Sequence, residues 1–141
     1  MKSVKNVKSA KNSKIIAQQA VKTSVVLAEN NYGKSRVRLV KVSRDRATKR
    51  HTVHELSVDV ALRGDFETVH TLGDNSKCLP TDTMKNTVYA FAKDHPIDAI
   101  ESFALHLAKH FVVGRGMESA RVSVSRVPWE RVILRGKEHP H

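Results

Sequence analysis

Hydrophobic and polar residues alternate along two stretches that lie close together in the sequence. In residues 36–43, aliphatic residues alternate with arginines until the phase slips at Val40, which predicts a strand with a bulge. In residues 55–63, leucines and valines occupy one face and mainly polar residues the other, which predicts a second strand. A short polar turn at residues 45–50 joins them, so we expect a long antiparallel hairpin.

Helical periodicity replaces this alternation in the middle of the chain. Residues 64–80 contain glycine, asparagine and aspartate without a regular pattern, and they predict a loop with at most a little strand. Apolar residues then recur at helical spacing from Thr81 and again from Ile100, with a break at residues 94–96. We therefore expect two helices whose apolar stripes pack in the core, the second ending at the glycines of residues 114–116.

Alternation returns in the last part of the chain. Residues 120–125 predict a third strand, Pro128 interrupts it, and residues 129–134 predict a fourth. The order strand, strand, helix, helix, strand, strand indicates an α+β fold, with an antiparallel four-stranded sheet and two helices on one face. The opposite face of the sheet carries polar residues and is free to line a wet space.

Length and composition narrow the class of protein. The chain has 141 residues, of which 40% are hydrophobic and 28% charged, which favours a single domain and excludes a wholly disordered chain. No apolar run approaches the roughly 18 residues that span a bilayer, so we expect no membrane partner. The single cysteine, Cys78, excludes an intrachain disulfide and a four-cysteine zinc site, and fits a reducing compartment such as the cytoplasm.

Positive charge is concentrated at the N-terminus. The formal net charge is +11, and residues 1–28 hold six lysines and no acidic residue. Such a segment can bind nucleic acid or anionic lipid through phosphate neutralisation, but it has no aromatic residue on which bases would stack. We therefore interpret residues 1–30 as a solvated, poorly ordered basic arm and residues 31–141 as the domain, and we do not expect nucleic-acid binding.

Several side chains that bind metals or nucleotides in other proteins have simpler explanations here. His106 and His110 are one helical turn apart, but a third ligand is not evident and Leu107 stands where a zincin motif has glutamate. We expect these histidines to flank the apolar stripe, with no metal bound. The glycines at residues 114–116 lack the third glycine of a dinucleotide loop, and Cys78 has no neighbouring base in sequence.

The start of the first predicted helix offers more chemistry. Residues 81–89 place hydroxyl groups and free backbone N–H groups at a helix N-terminus, which favours anions. Simple helix capping explains the same residues. The segment also closely resembles a motif of the urate oxidase (uricase) family. Other blocks resemble that family in order and spacing: Asn31-Tyr32-Gly33-Lys34, Val37-Arg38-Leu39, Arg63-Gly64-Asp65-Phe66-Glu67-Thr68, Asp74-Asn75-Ser76, the helix block from Phe103 to Phe111, and Pro128-Trp129-Glu130-Arg131.

The resemblance implies both a fold and a reaction. It implies the tunnelling fold, an antiparallel four-stranded sheet with two helices on one face, which agrees with the element order above. It also implies oxidation of urate by dioxygen to 5-hydroxyisourate and hydrogen peroxide, with no metal or organic cofactor. Lys34 and Thr81 match the family's catalytic lysine–threonine pair. Thr81 and Asp82 are the implied substrate-binding residues, Asp82 through its backbone. A lysine can exchange protons with a threonine hydroxyl, which alone is a weak acid and a weak base.

The resemblance covers only the first of the two tunnelling-fold units of a uricase chain. The second unit supplies the aromatic residue, arginine and glutamine that hold urate, and the asparagine and histidine near the oxygen site. Each site is shared between neighbouring subunits, so we expect a homo-oligomer or a second uricase half as partner. The alternative is a non-catalytic tunnelling-fold module that oligomerises or binds a purine. The family's peroxisomal C-terminal signal is not in this sequence, so the cytoplasm is expected and the peroxisome is the alternative.

Overall fold

A three-stranded antiparallel sheet, with strands in the order β1-β2-β3, is covered on one face by two helices. The structure is a computed structural model that describes residues 26–139. Its elements in chain order are β1 (Tyr32–Arg44), β2 (His51–Arg63), α1 (Glu67–Thr71), α2 (Thr81–Asp94), α3 (Ile100–Lys109) continued by a π-helical turn (His110–Gly114), β3 (Ser119–Val127), β4 (Ile133–Leu134) and β5 (Lys137–Glu138). This confirms the α+β class. The predicted basic arm lies outside the described residues up to position 25.

The central strand β2 carries the core side of the sheet. Its helix-facing side chains are buried: His54, Leu56, Val58, Val60 and Leu62. The alternation predicted for this strand is therefore confirmed, because one face of the sheet meets the helices and the other does not. β1 pairs with β2 along almost its whole length, so the predicted hairpin is confirmed as well.

The bulge in β1 lies earlier than the sequence pattern indicated. The register shifts between Lys34 and Val37, and Arg36 adopts a φ of 57° there. The backbone N–H of Arg36 donates to Oδ1 of Asp59 at 2.6 Å, which holds the extra residue in place. The predicted bulge at Val40 is wrong. Val40 continues the alternation on the outer face and is 62% exposed, and an exposed valine looks like a phase slip in sequence alone.

The two long helices bury the apolar stripes that the sequence predicted. α2 buries Met84, Val88 and Ala92, and α3 with its π-helical turn buries Phe103, Leu107 and Phe111. These side chains form one cluster with the inner residues of β1 and β2. Burial of aromatic and aliphatic side chains, each contributing about 1.5–3 kcal/mol, stabilises the packing of the helices on the sheet.

Helix α2 lies along the edge strand β1 and is tied to it by hydrogen bonds. The hydroxyl of Tyr89 donates to the carbonyl of Arg38 at 3.2 Å. Nζ of Lys41 donates to the carbonyl of His95 at 2.8 Å, where the free carbonyls and the dipole of the helix end favour a cation. Hydrogen bonds also join the start of β1 to the main chain just before α2. The helix and the strand therefore run in the same direction, with both helix ends fixed.

The predicted fourth strand does not join the main sheet in the described residues. Pro128 has no N–H to donate, and β3 ends just before it. Of residues 129–134, Ile133–Leu134 alone forms a strand, and it pairs with Lys137–Glu138 in a separate two-stranded hairpin. Arg135 and Gly136 have φ values of 51° and 75° between these strands, as the tightest hairpin turns require.

Residues 64–80 contain a short helix rather than strand. α1 spans Glu67–Thr71 and buries none of its side chains. Phe66, immediately before it, is 4% exposed and anchors the segment to the domain. Five residues are too few to show helical periodicity, which is why the sequence pattern indicated a loop.

The π-helical turn after α3 buries one polar atom without a partner. Nε2 of His110 is buried and forms no hydrogen bond within residues 26–139. The ring packs against Phe91 with a centroid separation of 5.0 Å. Burial of the imidazole, and after it the charge of Arg115, lower the pKa of His110. The neutral form of the ring is therefore the one that the fold accommodates.

We expect acid to destabilise the domain through His110. The free imidazole titrates near pH 6.5, so as pH falls below that value the unfolded state takes up the proton first and the free energy of unfolding decreases. Urea denaturation at about pH 7.5 and about pH 5 measures this decrease. The variant His110→Phe is expected to show a smaller decrease than the wild type. His70→Gln, on an exposed position of α1, should behave like the wild type, and equal pH dependence in all three proteins would contradict the prediction.

Candidate active site

The bulge in β1 determines which face of the sheet carries Lys34. Val37 pairs with Val58 and faces the helices. Strict alternation from Val37 would turn Lys34 to the outer face, but the extra residue in the bulge reverses the order. Lys34 instead pairs with the buried Val60, and cross-strand partners share a face. Lys34 therefore lies on the helix side of the sheet and is partly buried.

The backbone beside Lys34 lies unusually close to the neighbouring strand. A Cβ atom on Gly33 would sit 1.8 Å from the carbonyl oxygen of Val60. No side chain other than hydrogen fits there without moving the main chain. The position of Lys34 along the sheet is thus fixed by a glycine on one side and a bulge on the other.

Helix α2 presents Thr81 and Asp82 at its N-terminus. Pro80 is the N-cap residue and makes no side-chain cap hydrogen bond, which is expected because proline has no polar side-chain atom. The intrahelical bonds begin with the N–H of Met84, which donates to the carbonyl of Pro80 at 3.2 Å. The capping role considered for Thr81 is not seen: its hydroxyl makes no hydrogen bond within the described part of the chain, and its side chain is exposed. The first turn therefore offers a free hydroxyl and free N–H groups.

Charge links Lys34 to this helix terminus. Nζ of Lys85 donates to Oδ1 of Asp82 at 2.9 Å. This hydrogen bond lowers the pKa of the Asp82 carboxyl most, the charge of Lys85 adds to it, and the charge of Lys34 acts in the same direction. Lys34, on the helix side of β1, is thus within electrostatic reach of Asp82, which lies with Thr81 at the N-terminus of α2.

A largely apolar cavity of about 490 Å³ opens beside Thr81. Its lining residues are Asn30, Asn31, Tyr32, Phe66, Val69, His70, Asn75, Cys78, Leu79, Pro80 and Thr81. The rings of Tyr32 and Phe66 meet edge to face with centroids 4.8 Å apart. A cavity with mostly apolar walls and a few polar groups suits a flat heterocycle that has a polar edge.

Tyr32 was not singled out by sequence reasoning, although it is part of one of the family-like blocks. Its hydroxyl accepts a hydrogen bond from the N–H of Leu79 at 2.6 Å and donates to the carbonyl of the same residue at 3.1 Å. Burial raises the pKa of the Tyr32 phenol, so it keeps its proton at neutral pH. The signal in the sequence was a tyrosine two residues before Lys34, which the alternation places on the same face.

The histidines do not build a metal centre in the part of the chain that the structure describes. The rings of His95 and His106 pack with centroids 5.6 Å apart, and His110 packs against Phe91. Within residues 26–139, no group of three or more histidine, cysteine, aspartate or glutamate side chains is arranged to hold a metal ion. Over the same range, none of the helices combines the length and hydrophobicity that a bilayer crossing requires.

Comparison with known proteins places the chain in a family. The family model described as Uricase matches residues 30–141. The chain belongs to the uricase family. The uricase of Arthrobacter globiformis is 45% identical over 126 residues, which cover 89% of this chain and 39% of that relative. The uricase of Schizosaccharomyces pombe is 43% identical, over 78% of this chain and 38% of the relative.

A solved structure confirms the tunnelling fold that the resemblance implied. The crystal structure of the uricase from Arthrobacter globiformis superimposes with a TM-score of 0.73 and 47% sequence identity, over 83% of this chain and 39% of that chain. The chain therefore spans about two fifths of the length of the uricase relatives it matches, as the resemblance to a single tunnelling-fold unit had indicated.

Proposed function

We propose that the chain is the first tunnelling-fold unit of a urate oxidase, active together with a second unit. Membership of the uricase family supports the reaction, and the span of about two fifths of a uricase chain supports the need for a partner. The observation that carries the proposal is the free N-terminus of α2, where Thr81 lines an apolar cavity and Asp82 lies within electrostatic reach of Lys34. A free helix N-terminus favours an anion, and urate is an anion near neutral pH.

In the proposed reaction, urate, dioxygen and water give 5-hydroxyisourate and hydrogen peroxide. Urate loses two electrons, and dioxygen gains two electrons and two protons. One of these protons comes from urate, and the other comes from the water whose hydroxyl adds to the oxidised ring and forms the new C–O bond. We assign the movement of the urate proton to Thr81 and Lys34: the lysine ammonium gives a proton through the threonine hydroxyl to the reduced oxygen, and the resulting amine takes up the proton that urate loses. A hydroxyl serves as such a relay when a titratable neighbour exchanges protons with it. The backbone of Asp82 is proposed to contact the substrate.

The second unit is the proposed source of the groups that hold the other side of urate. The described residues that line the cavity include no arginine. A further unit would close the site and bring in the missing aromatic and cationic groups. With a single cysteine, the chain fits a reducing compartment, and the cytoplasm is the compartment we propose.

Urate consumption in air tests the proposed function. The loss of urate absorbance is followed together with peroxide formation, first for the purified chain alone and then after addition of a polypeptide covering the second unit of a uricase. We expect turnover in the mixture. Turnover by the chain alone would mean that a homo-oligomer supplies both halves of the site. A folded mixture that consumes no urate would overturn the proposal in favour of the non-catalytic module.

A further inference from the structure

The hydroxyl of Tyr32 occupies both main-chain polar groups of Leu79. It accepts from the N–H at 2.6 Å and donates to the carbonyl at 3.1 Å. A single side chain thus replaces the two main-chain hydrogen bonds that a neighbouring strand would supply. The two residues are separated by 47 positions in sequence, so this contact joins distant parts of the chain.

The contact lies between the two elements that carry the site. Tyr32 is two residues before Lys34, and both face the helices because their partners on β2, Leu62 and Val60, are buried. Leu79 is two residues before Thr81 and leads directly into α2. The hydroxyl therefore connects the strand that bears Lys34 to the start of the helix that bears Thr81.

Packing holds the tyrosine side of this contact in place, and the main-chain side depends on the contact for its position. The edge-to-face packing on Phe66, with centroids 4.8 Å apart, restricts the orientation of the Tyr32 ring. The N-terminus of α2 makes no side-chain cap hydrogen bond at Pro80. The residues that precede Thr81 therefore depend on contacts such as the one at Leu79 for their position.

We propose that Tyr32 is a positioning residue that fixes the start of α2, and with it Thr81 and Asp82, relative to Lys34. The effect of this positioning on catalysis rests on the proposed function, whereas the positioning itself is a property of this chain. Small displacements of groups that exchange protons with a substrate lower the rate strongly, because the reacting atoms must be held in contact distance. The tie is to the main chain, so it acts whatever side chain stands at position 79.

The variants Tyr32→Phe and Tyr89→Phe form a matched pair for the test. Each removes one hydroxyl that ties α2 or its approach to β1, but the hydroxyl of Tyr89 bonds the carbonyl of Arg38 further along the helix. Tyr32→Phe keeps the ring that packs on Phe66, so the fold is preserved. The amide of Met84, donor of the first intrahelical bond of α2, reports the position of the helix start in hydrogen exchange.

We expect the Met84 amide to exchange about tenfold faster or more in Tyr32→Phe, because both hydrogen bonds to the main chain of Leu79 are lost, and close to the wild-type rate in Tyr89→Phe. In the mixture with the second unit, we expect kcat for urate to fall about tenfold or more in Tyr32→Phe while KM changes little. Tyr89→Phe should keep both constants.

Two results would overturn the inference and one separates it from the proposed function. Unchanged exchange at Met84 in Tyr32→Phe would show that the hydroxyl does not fix the helix start. Faster exchange with an unchanged kcat would show that the position of the start does not matter for turnover. Faster exchange in a mixture whose wild type consumes no urate would support the positioning and contradict the proposed function.

Discussion

Replacing Lys34 with methionine is expected to lower the rate of urate oxidation by about 100- to 10,000-fold in the mixture with the second unit, as loss of a positioned acid–base group does. Methionine keeps an unbranched apolar side chain of similar length, so it fills the same space on the helix side of β1. It cannot take up or release a proton. The measurement is kcat from urate absorbance and peroxide formation.

A matched lysine variant controls for the loss of charge. Lys109 lies on an exposed position of α3, and Lys109→Met is expected to keep the wild-type rate.

The double variant Lys34→Met with Thr81→Val provides a sharper test. If the two residues form one proton relay, removing either residue already abolishes the relay, and removing the second adds no further loss. The double variant should therefore be no slower than the slower single variant. A Lys34→Met protein with the wild-type kcat would remove Lys34 from the mechanism.

Gly33→Ala is expected to lower the free energy of unfolding by about 3 kcal/mol or more, which is at the upper end of the cost of overpacking. The added Cβ would lie 1.8 Å from the carbonyl oxygen of Val60. That oxygen belongs to the main chain of the central strand, so it cannot rotate away as a flexible side chain would. Relief requires β1 to separate from β2 next to Lys34. Urea denaturation measures the effect.

Ser35→Ala is the control for Gly33→Ala. Ser35 is exposed in the same strand and its hydroxyl makes no hydrogen bond in the described residues, so its replacement is expected to change stability by about 0.5 kcal/mol or less. If Gly33→Ala lost no more stability than Ser35→Ala, the close approach of β1 to Val60 would be contradicted. A destabilised but folded Gly33→Ala protein should also lose urate turnover, because Lys34 moves with its neighbour.

The elements that bury one regular face could be predicted from the sequence. β2 and α3 each present a clear apolar stripe, and both lie where the pattern placed them. Features that depend on a single residue were missed or misplaced. The bulge at Arg36 has no periodicity of its own, and α1 is too short to show any. The predicted fourth strand failed because β4 pairs locally with β5 across a tight turn, and alternation does not say which partner a strand will take.

The residues of the site came from resemblance, and their arrangement came from the structure. The sequence indicated Lys34, Thr81 and Asp82 through family-like blocks, and their chemical roles remain predictions. That Lys34 faces the helices depends on the register of β1 against β2, which a single sequence does not contain. Tyr32 was overlooked because it hydrogen-bonds to the main chain of Leu79. The type of residue at position 79 does not reveal such a bond, because any residue offers the same main-chain groups.

The extra residue in β1 makes the backbone conformation of this segment as important as its length. If the bulge straightened into regular strand at the present length, Lys34 and Tyr32 would turn away from α2, while every residue from Val37 onward stayed in register. The bulge holds position 36 at a φ of 57°, whereas Ser35 has no such restriction. Natural variation among relatives should therefore be freer at position 35 than at position 36, where residues that accept a positive φ, such as glycine and asparagine, are favoured. A chimaera made by exchanging segments with another uricase should be joined outside residues 32–37, so that the spacing is inherited whole.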